Sequence, residues 1–333
     1  MASLIKQISE INAVCGNEGS LREFILSHIT QAQITVDTMG NVIAFKKGSK
    51  SNKKIAVITH MDESGFIVSS ITDKGYIKFK PCGNIDINTV ISKRVVIGEN
   101  NIKGVIGMKA IHLQTKDERK NTVPAKNLYI DIGAKNKESA LKKVAIGDFI
   151  TFDTQCCELG DIIKGKALSR CGVGTVIEAI KQSYACDMYF VFTAQKEIGM
   201  RGADIISRRI NPDVIITVDT AATDDVFGND KKTVSLGSGT VIPSLDKYAI
   251  YNNELLELAV STAKKHNIKY QRAVLKNEFS DSGAIQTGAE GVQCINLSIP
   301  CRYAKTPVEM INKNDLKSAS ELLDELIKEI EEI

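Results

Sequence analysis

The chain has 333 residues, with 43 Lys plus Arg against 40 Asp plus Glu for a formal net charge of +3, and 43% of its residues are hydrophobic. That is an ordinary soluble globular composition, long enough for two domains or for one domain carrying a sizeable insertion. Near-balanced charge, with basic pairs no longer than Lys46-Lys47 and Lys53-Lys54, excludes an electrostatic footprint for nucleic acid or a membrane surface, and no run approaches the roughly 18 apolar residues of a membrane span.

Leu4, Ile5, Ile8 and Ile11 recur at helical spacing and predict an opening helix rather than a signal peptide. Ser20 with Glu23 reads as a capping box before a second helix through Phe24, Ile25 and Ile29. A short apolar run from Lys53 to Thr59 predicts a strand ending at His60-Met61-Asp62-Glu63-Ser64-Gly65. From about Phe66 to Ile163 the texture changes to short β-branched runs: Ile67 to Ile71, Tyr76 to Phe79, Arg94 to Ile97, Leu128 to Ile132 and Asp148 to Phe152. Gly, Asn and Asp separate them, as in a small β barrel or sandwich.

After Gly165 helices and strands alternate: a helix near Gly174 to Gln182, a strand Met188 to Thr193, a helix near Ala203 and a strand Val214 to Val218. A helix from Asn253 to His266, a strand from Val292 to Ile299 and a closing amphipathic helix through Leu322, Leu323, Leu326, Ile327 and Ile330 follow. The fold class is α/β with an inserted β unit, and parallel strands are expected under helices. The expected organisation is a discontinuous α/β domain over 1–66 and 164–333, with the insert at 67–163.

The eight cysteines follow no repeating spacing, and the adjacent pair Cys156-Cys157 is a poor disulfide candidate. Free thiols in a reducing cytoplasm are expected.

In an open α/β sheet, ligands bind beyond the carboxyl ends of the strands. Four strands end in polar groups: His60, Asp62 and Glu63; then Gln195, Lys196 and Glu197; then Asp219; then Arg302 and Lys305. His, Glu and Asp from separate strands are donors suited to a metal, and Asp62 is placed to orient His60 through its second ring nitrogen. Alone, each acid is as well explained as a helix cap or a solvated loop residue. His28, His112 and His266 read as ordinary surface or helix-end residues.

These residues, together with Gly16-Asn17-Glu18, the run from Gly104 to His112, Tyr129 to Ala134, Phe192 to Ala203, Asp281 to Ile285 and Ile299 to Tyr303, resemble the tetrahedral aminopeptidase family, which includes glutamyl and deblocking aminopeptidases. The similarity runs nearly end to end. It implies a zinc-exopeptidase-like mixed sheet sandwiched by helices, a small β-barrel dimerisation insert, and assembly as homo-oligomers from dimer to dodecamer. It also implies two metal ions per site, zinc or cobalt, bridged by a shared Asp and a water. A neighbouring Glu takes the proton of that water.

Carried over position by position, the resemblance makes His60, Glu197 and Asp219 metal ligands and Asp62 the partner of His60. Three other roles are lost. The bridging Asp lies in a segment like Ala-Leu-Asp-Asp-Arg, where this chain reads Ala167-Leu168-Ser169-Arg170, with no carboxylate between Asp161 and Glu178. The base in a Gln-Glu-Glu pattern is replaced in Gln195-Lys196-Glu197, and the last metal His is replaced by Lys305 in Arg302-Tyr303-Ala304-Lys305-Thr306-Pro307-Val308-Glu309. An ammonium about 4 Å from a divalent ion repels it by roughly 8 kcal/mol at an effective dielectric near 20.

The expected arrangement therefore has the two lysines pairing with Glu197 and Asp219 in place of metals, with no metal at full occupancy and Lys196 non-catalytic. The cleft is expected to keep room for a peptide or other small ligand. Two other readings stand beside this one: a single-metal hydrolase completed by Cys171 as thiolate, and a non-catalytic subunit that co-assembles with an active relative.

Overall fold

The computed structural model describes residues 1–50, 53–230, 232–288 and 290–332. Alternation of apolar and polar runs produces two sheet systems, each with its own core.

The larger is a mixed sheet of eleven strands. Its centre is parallel: Asp187–Thr193, Lys54–His60, Val214–Ala222 and Gln293–Arg302 lie side by side in that order. These strands are buried along almost their whole length, as expected where both faces are covered. The hairpin Gln33–Val36 and Val42–Lys46 extends one side antiparallel, and Glu309–Asn312, Ile162–Gly165 and Cys157–Leu159 extend the other. The helices Gly172–Ile180, Asn253–Lys265 and Lys313–Glu332 pack together and against the sheet. A side chain at Gly172 would have its Cβ 2.4 Å from Thr59 Oγ1 and 2.7 Å from Val218 O, so glycine lets this helix start close against the strands that carry His60 and Asp219.

The second system is a closed antiparallel barrel of Gly65–Ile71, Ile77–Cys82, Tyr129–Asp131, Ile102–Gly107, Arg94–Ile97 and Phe149–Phe152. Phe66 anchors its core, with ring centroids 4.8 Å from Phe79 and 5.6 Å from Phe152 in edge-on contacts. Phe66 thus belongs to the barrel. The segment Cys157–Leu159, placed within the insert by the boundary at 163, pairs with Ile162–Gly165 in the large sheet instead.

The opening helices form at Ala2–Glu10 and Gly19–His28. The capping box at Ser20 does not: the second helix starts at Gly19 with Glu18 as its N-cap, placing Ser20 inside the first turn. The carboxylate of Glu18 is drawn elsewhere, accepting the N–H of Gly16 at 2.8 Å and of Gln195 at 3.0 Å. All eight cysteines are free thiols. Among the described residues no helix is long and apolar enough to cross a membrane.

Candidate active-site cleft

The carboxyl ends of the central parallel strands bring His60, Asp62, Lys196, Glu197 and Asp219 into one buried cluster. Asp62 is its brace. Its carboxylate accepts the backbone N–H of Lys196 at 2.9 Å and of Glu197 at 2.8 Å, while Glu18 takes the N–H of Gln195 in its left-handed conformation, φ +57°. His60 meets Asp62 chiefly through the backbone: Nδ1 lies 3.0 Å from the Asp62 carbonyl oxygen and 3.4 Å from Oδ1. Asp62 therefore orients the Lys196-Glu197 turn as much as the imidazole.

Lys196 Nζ stands 3.1 Å from Glu197 Oε1 and 3.1 Å from Asp219 Oδ2, with all three side chains nearly sealed from solvent. Burial disfavours the charged amine, but Asp219, Glu197 and Asp281 outweigh it and hold the ammonium well above the ordinary lysine range. On Asp219, burial pushes the carboxyl up, and Lys196 and His60 bring it far below the usual carboxylate range. His60 Nε2 lies 3.5 Å from Asp219 Oδ1 without a formed hydrogen bond. Burial and Lys196 oppose its protonation, yet the Asp219 and Asp62 carboxylates raise its pKa to about 10.

The second expected lysine pair is not formed. Lys305, following the strand Gln293–Arg302, reaches neither Glu197 nor Asp219 within ion-pair distance; its Nζ lies over the Phe279 ring, 5.6 Å from the centroid. Lys196 lies over the same ring at 4.9 Å. Geometry explains the difference: one ammonium satisfies both acids, and the left-handed turn at Tyr303 (φ +58°) and Lys305 (φ +65°) points the second chain elsewhere in the cleft.

Ser169 sits in a short turn, Leu168–Arg170, and lines the same cleft as Lys196, Glu197 and Lys305. Sequence reasoning missed the residue that joins the substituted positions. Glu309, buried, accepts the N–H of Ser169 at 3.0 Å through Oε2 and the N–H of Lys305 at 2.8 Å through Oε1. Burial pushes its pKa up to about 7 against those hydrogen bonds. Phe279 and Asp281 were also assigned no role; Asp281 accepts from Thr193 Oγ1 at 2.5 Å, and its pKa rises to about 6 through burial. A carboxylate four residues after a substituted ligand position was the available signal for Glu309.

Behind the cluster, Glu63 ties the barrel to the sheet system. It accepts from Ala13 N at 2.8 Å and Thr151 Oγ1 at 3.2 Å, and faces Lys166 at 3.6 Å and Arg170 at 3.7 Å. Arg170 also donates to the carbonyls of Ile8 and Ile11 near the end of the first helix.

A donor set for two divalent ions is not assembled here. Among the described residues no three His, Cys, Asp or Glu side chains converge as a metal would require. Where Glu197 and Asp219 come together they enclose an ammonium. Burial, then Asp219 and Glu309, push the Cys171 thiol far up, so without a metal it stays protonated. The residues present do not fit the dinuclear group.

Residues 40–322 match the family of M42 glutamyl aminopeptidases. A relative from Acetivibrio thermocellus is 39% identical over 98% of both chains. The lysyl aminopeptidase of Pyrococcus furiosus is 29% identical, covering 98% of this chain and 96% of that one. Among solved structures, the aminopeptidase APDkam598 from Desulfurococcus kamchatkensis superposes with a TM-score of 0.92 at 33% identity, over 98% of this chain and 94% of that one. The Pyrococcus horikoshii TET1 peptidase, which assembles into a tetrahedron or a large octahedral shell, does so with a TM-score of 0.86 at 31% identity, over 98% of both.

Proposed function

This chain belongs to the M42 glutamyl aminopeptidase family, and we propose that it keeps the family's fold and cleft while having lost dinuclear metal hydrolysis. One observation carries the reading: the ammonium of Lys196 lies 3.1 Å from both Glu197 and Asp219, where the family resemblance places metal-binding carboxylates. In the family, zinc or cobalt ions would activate a water and stabilise the oxyanion.

Each of this chain's own groups is committed otherwise. Lys196, protonated, has no lone pair with which to take a proton from water. Ser169 offers a hydroxyl where the bridging carboxylate belongs. Loss of a positioned base alone removes about 10² to 10⁴ in rate. What remains is a narrow cleft of about 30 Å³, open to solvent past Phe279, that admits one small polar group rather than supporting turnover. Because the fold is intact and TET1 assembles into closed shells, we propose a homo-oligomer here as well, with the barrel as the dimerising insert. The free thiols support a reducing, cytoplasmic setting.

The test is hydrolysis of a panel of aminoacyl p-nitroanilides by the natural chain, with excess zinc or cobalt and with chelator. No turnover above blank is expected in either condition. Chelator-sensitive turnover contradicts the proposal.

A further inference from the structure

We infer that the cleft binds a small ligand through its free carboxylate, with Lys305 as the charged group that receives it. This rests on the reading of the cleft as a binding site without metals and adds the class of ligand.

The carboxylates lining the cleft are engaged. Glu63 faces Lys166 and Arg170; Glu197 takes Lys196 Nζ and, at 3.1 Å, the Ser64 hydroxyl; Glu309 takes two backbone N–H groups; and Glu278 accepts the N–H of Ala222 at 3.1 Å through Oε2. Lys196 is held by two acids. Lys305 is different: among the described residues no carboxylate lies within 4.0 Å of its ammonium, which lies over the Phe279 face and acts on the buried Glu278 only at longer range, without a formed ion pair. Its position is nevertheless fixed. The backbone adopts φ +65°, a conformation that costs a non-glycine residue of order 1–3 kcal/mol and persists only where its surroundings impose it. Glu309 imposes it by accepting the Lys305 N–H, and the Thr306 hydroxyl donates to Tyr303 O at 2.8 Å across the same turn.

The groups around it suit one end of a zwitterion. Ser169 lines the cleft that Lys305 also lines, and its hydroxyl makes no hydrogen bond among the described residues, so it remains a free donor there. Among the described residues Glu278 Oε1 takes no hydrogen bond, so beside its longer-range attraction to Lys305 it can accept from an ammonium. The Phe279 ring, 5.9 Å from that of the half-exposed Tyr248, forms an apolar shelf leading outward from the lysines. A carboxylate on Lys305 and Ser169, with an apolar side chain along Phe279, uses what the protein leaves unpaired. A free amino acid and the C-terminal residue of a short peptide both supply that chemistry.

The experiment is isothermal titration calorimetry on the full-length chain, with leucine, leucyl-leucine, N-acetyl-leucine and leucinamide. Saturable binding of at least one of the first three is expected, with leucinamide, which lacks the carboxylate, about tenfold weaker or silent. Lys305→Gln is expected to weaken the best carboxylate ligand about tenfold or more, and Lys305→Arg to retain most of the affinity. Tighter leucine assigns the free amino acid as the source, and tighter leucyl-leucine assigns a peptide terminus; either supports the inference. Leucinamide binding as well as leucine, Lys305→Gln binding unchanged, or no binding by any compound overturns it. Metal content and hydrolysis of leucyl-leucine measured on the same sample separate the two claims. Two ions with turnover overturn the metal-free reading, whereas metal-free protein that ignores every carboxylate overturns this inference alone.

Discussion

Lys196 Nζ and Asp219 Oδ2 lie 3.1 Å apart inside the protein, with Glu197 Oε1 at the same distance on the other side of the ammonium. Two acids that would repel each other in a dry site are held together by one cation. Buried ion clusters of this kind are weak net stabilisers, because desolvation cancels much of the attraction, but removal of one member leaves uncompensated charge.

Lys196→Met is accordingly expected to destabilise the protein by about 3–5 kcal/mol. Denaturant unfolding of the variant against the natural chain measures it. A change below about 1 kcal/mol means that the acids find another partner or take up protons at little cost.

The raised pKa of His60 makes stability depend on pH in a stated direction. Its folded pKa of about 10 lies above the ordinary value of 6.5. The native state therefore binds this proton more tightly than the unfolded chain. The contribution is complete below about pH 6.5 and is lost as pH rises toward 10. Thermal unfolding between about pH 7 and 9.5 is expected to show a falling midpoint in the natural chain and a flatter profile in His60→Asn. Parallel profiles would mean that His60 is neutral in the fold.

Asp62→Asn replaces an acceptor of two backbone N–H groups with an amide that brings one oxygen and an NH₂ facing a donor. A loss of about 2–3 kcal/mol is expected. The turn that carries Lys196 and Glu197 should also loosen, read as faster amide exchange over 195–197. Unchanged exchange there would assign the support to Glu18 and the left-handed Gln195 instead.

Glu63→Gln leaves the buried Lys166 and Arg170 without their shared carboxylate. A cost of about 3–5 kcal/mol is expected, partly recovered in a double variant with Lys166→Met because one stranded charge is then removed. Additive losses would show that Glu63 acts through Ala13 and Thr151 alone.

The parallel core was legible because its strands are continuous apolar runs closing in polar residues, as at Lys54–His60 and Asp187–Thr193. The barrel strands announced themselves by β-branched runs between Gly, Asn and Asp. The hairpin Gln33–Val36 with Val42–Lys46 and the pair Thr240–Asp246 with Tyr270–Leu275 did not, because Gln33–Val36 is exposed throughout, the other three follow no clean alternation, and all lie beside the core strands. At the site, strand ends and the family pattern identified the cluster His60, Asp62, Lys196, Glu197 and Asp219. They could not divide two lysines between two acids. That outcome depends on backbone conformation at Lys305 and on Glu309, a carboxylate whose hydrogen bonds join segments about 140 residues apart, which no local pattern encodes.

The central claim is that an ammonium occupies the place of a metal. Elemental analysis of protein purified without chelator, repeated after incubation with excess zinc or cobalt and desalting, tests it directly. The account predicts a metal content near zero in both samples, with uptake appearing in a variant carrying Ser169→Asp, Lys196→Glu and Lys305→His. Two ions retained per natural chain would contradict it, because Lys196 would then have to vacate Glu197 and Asp219.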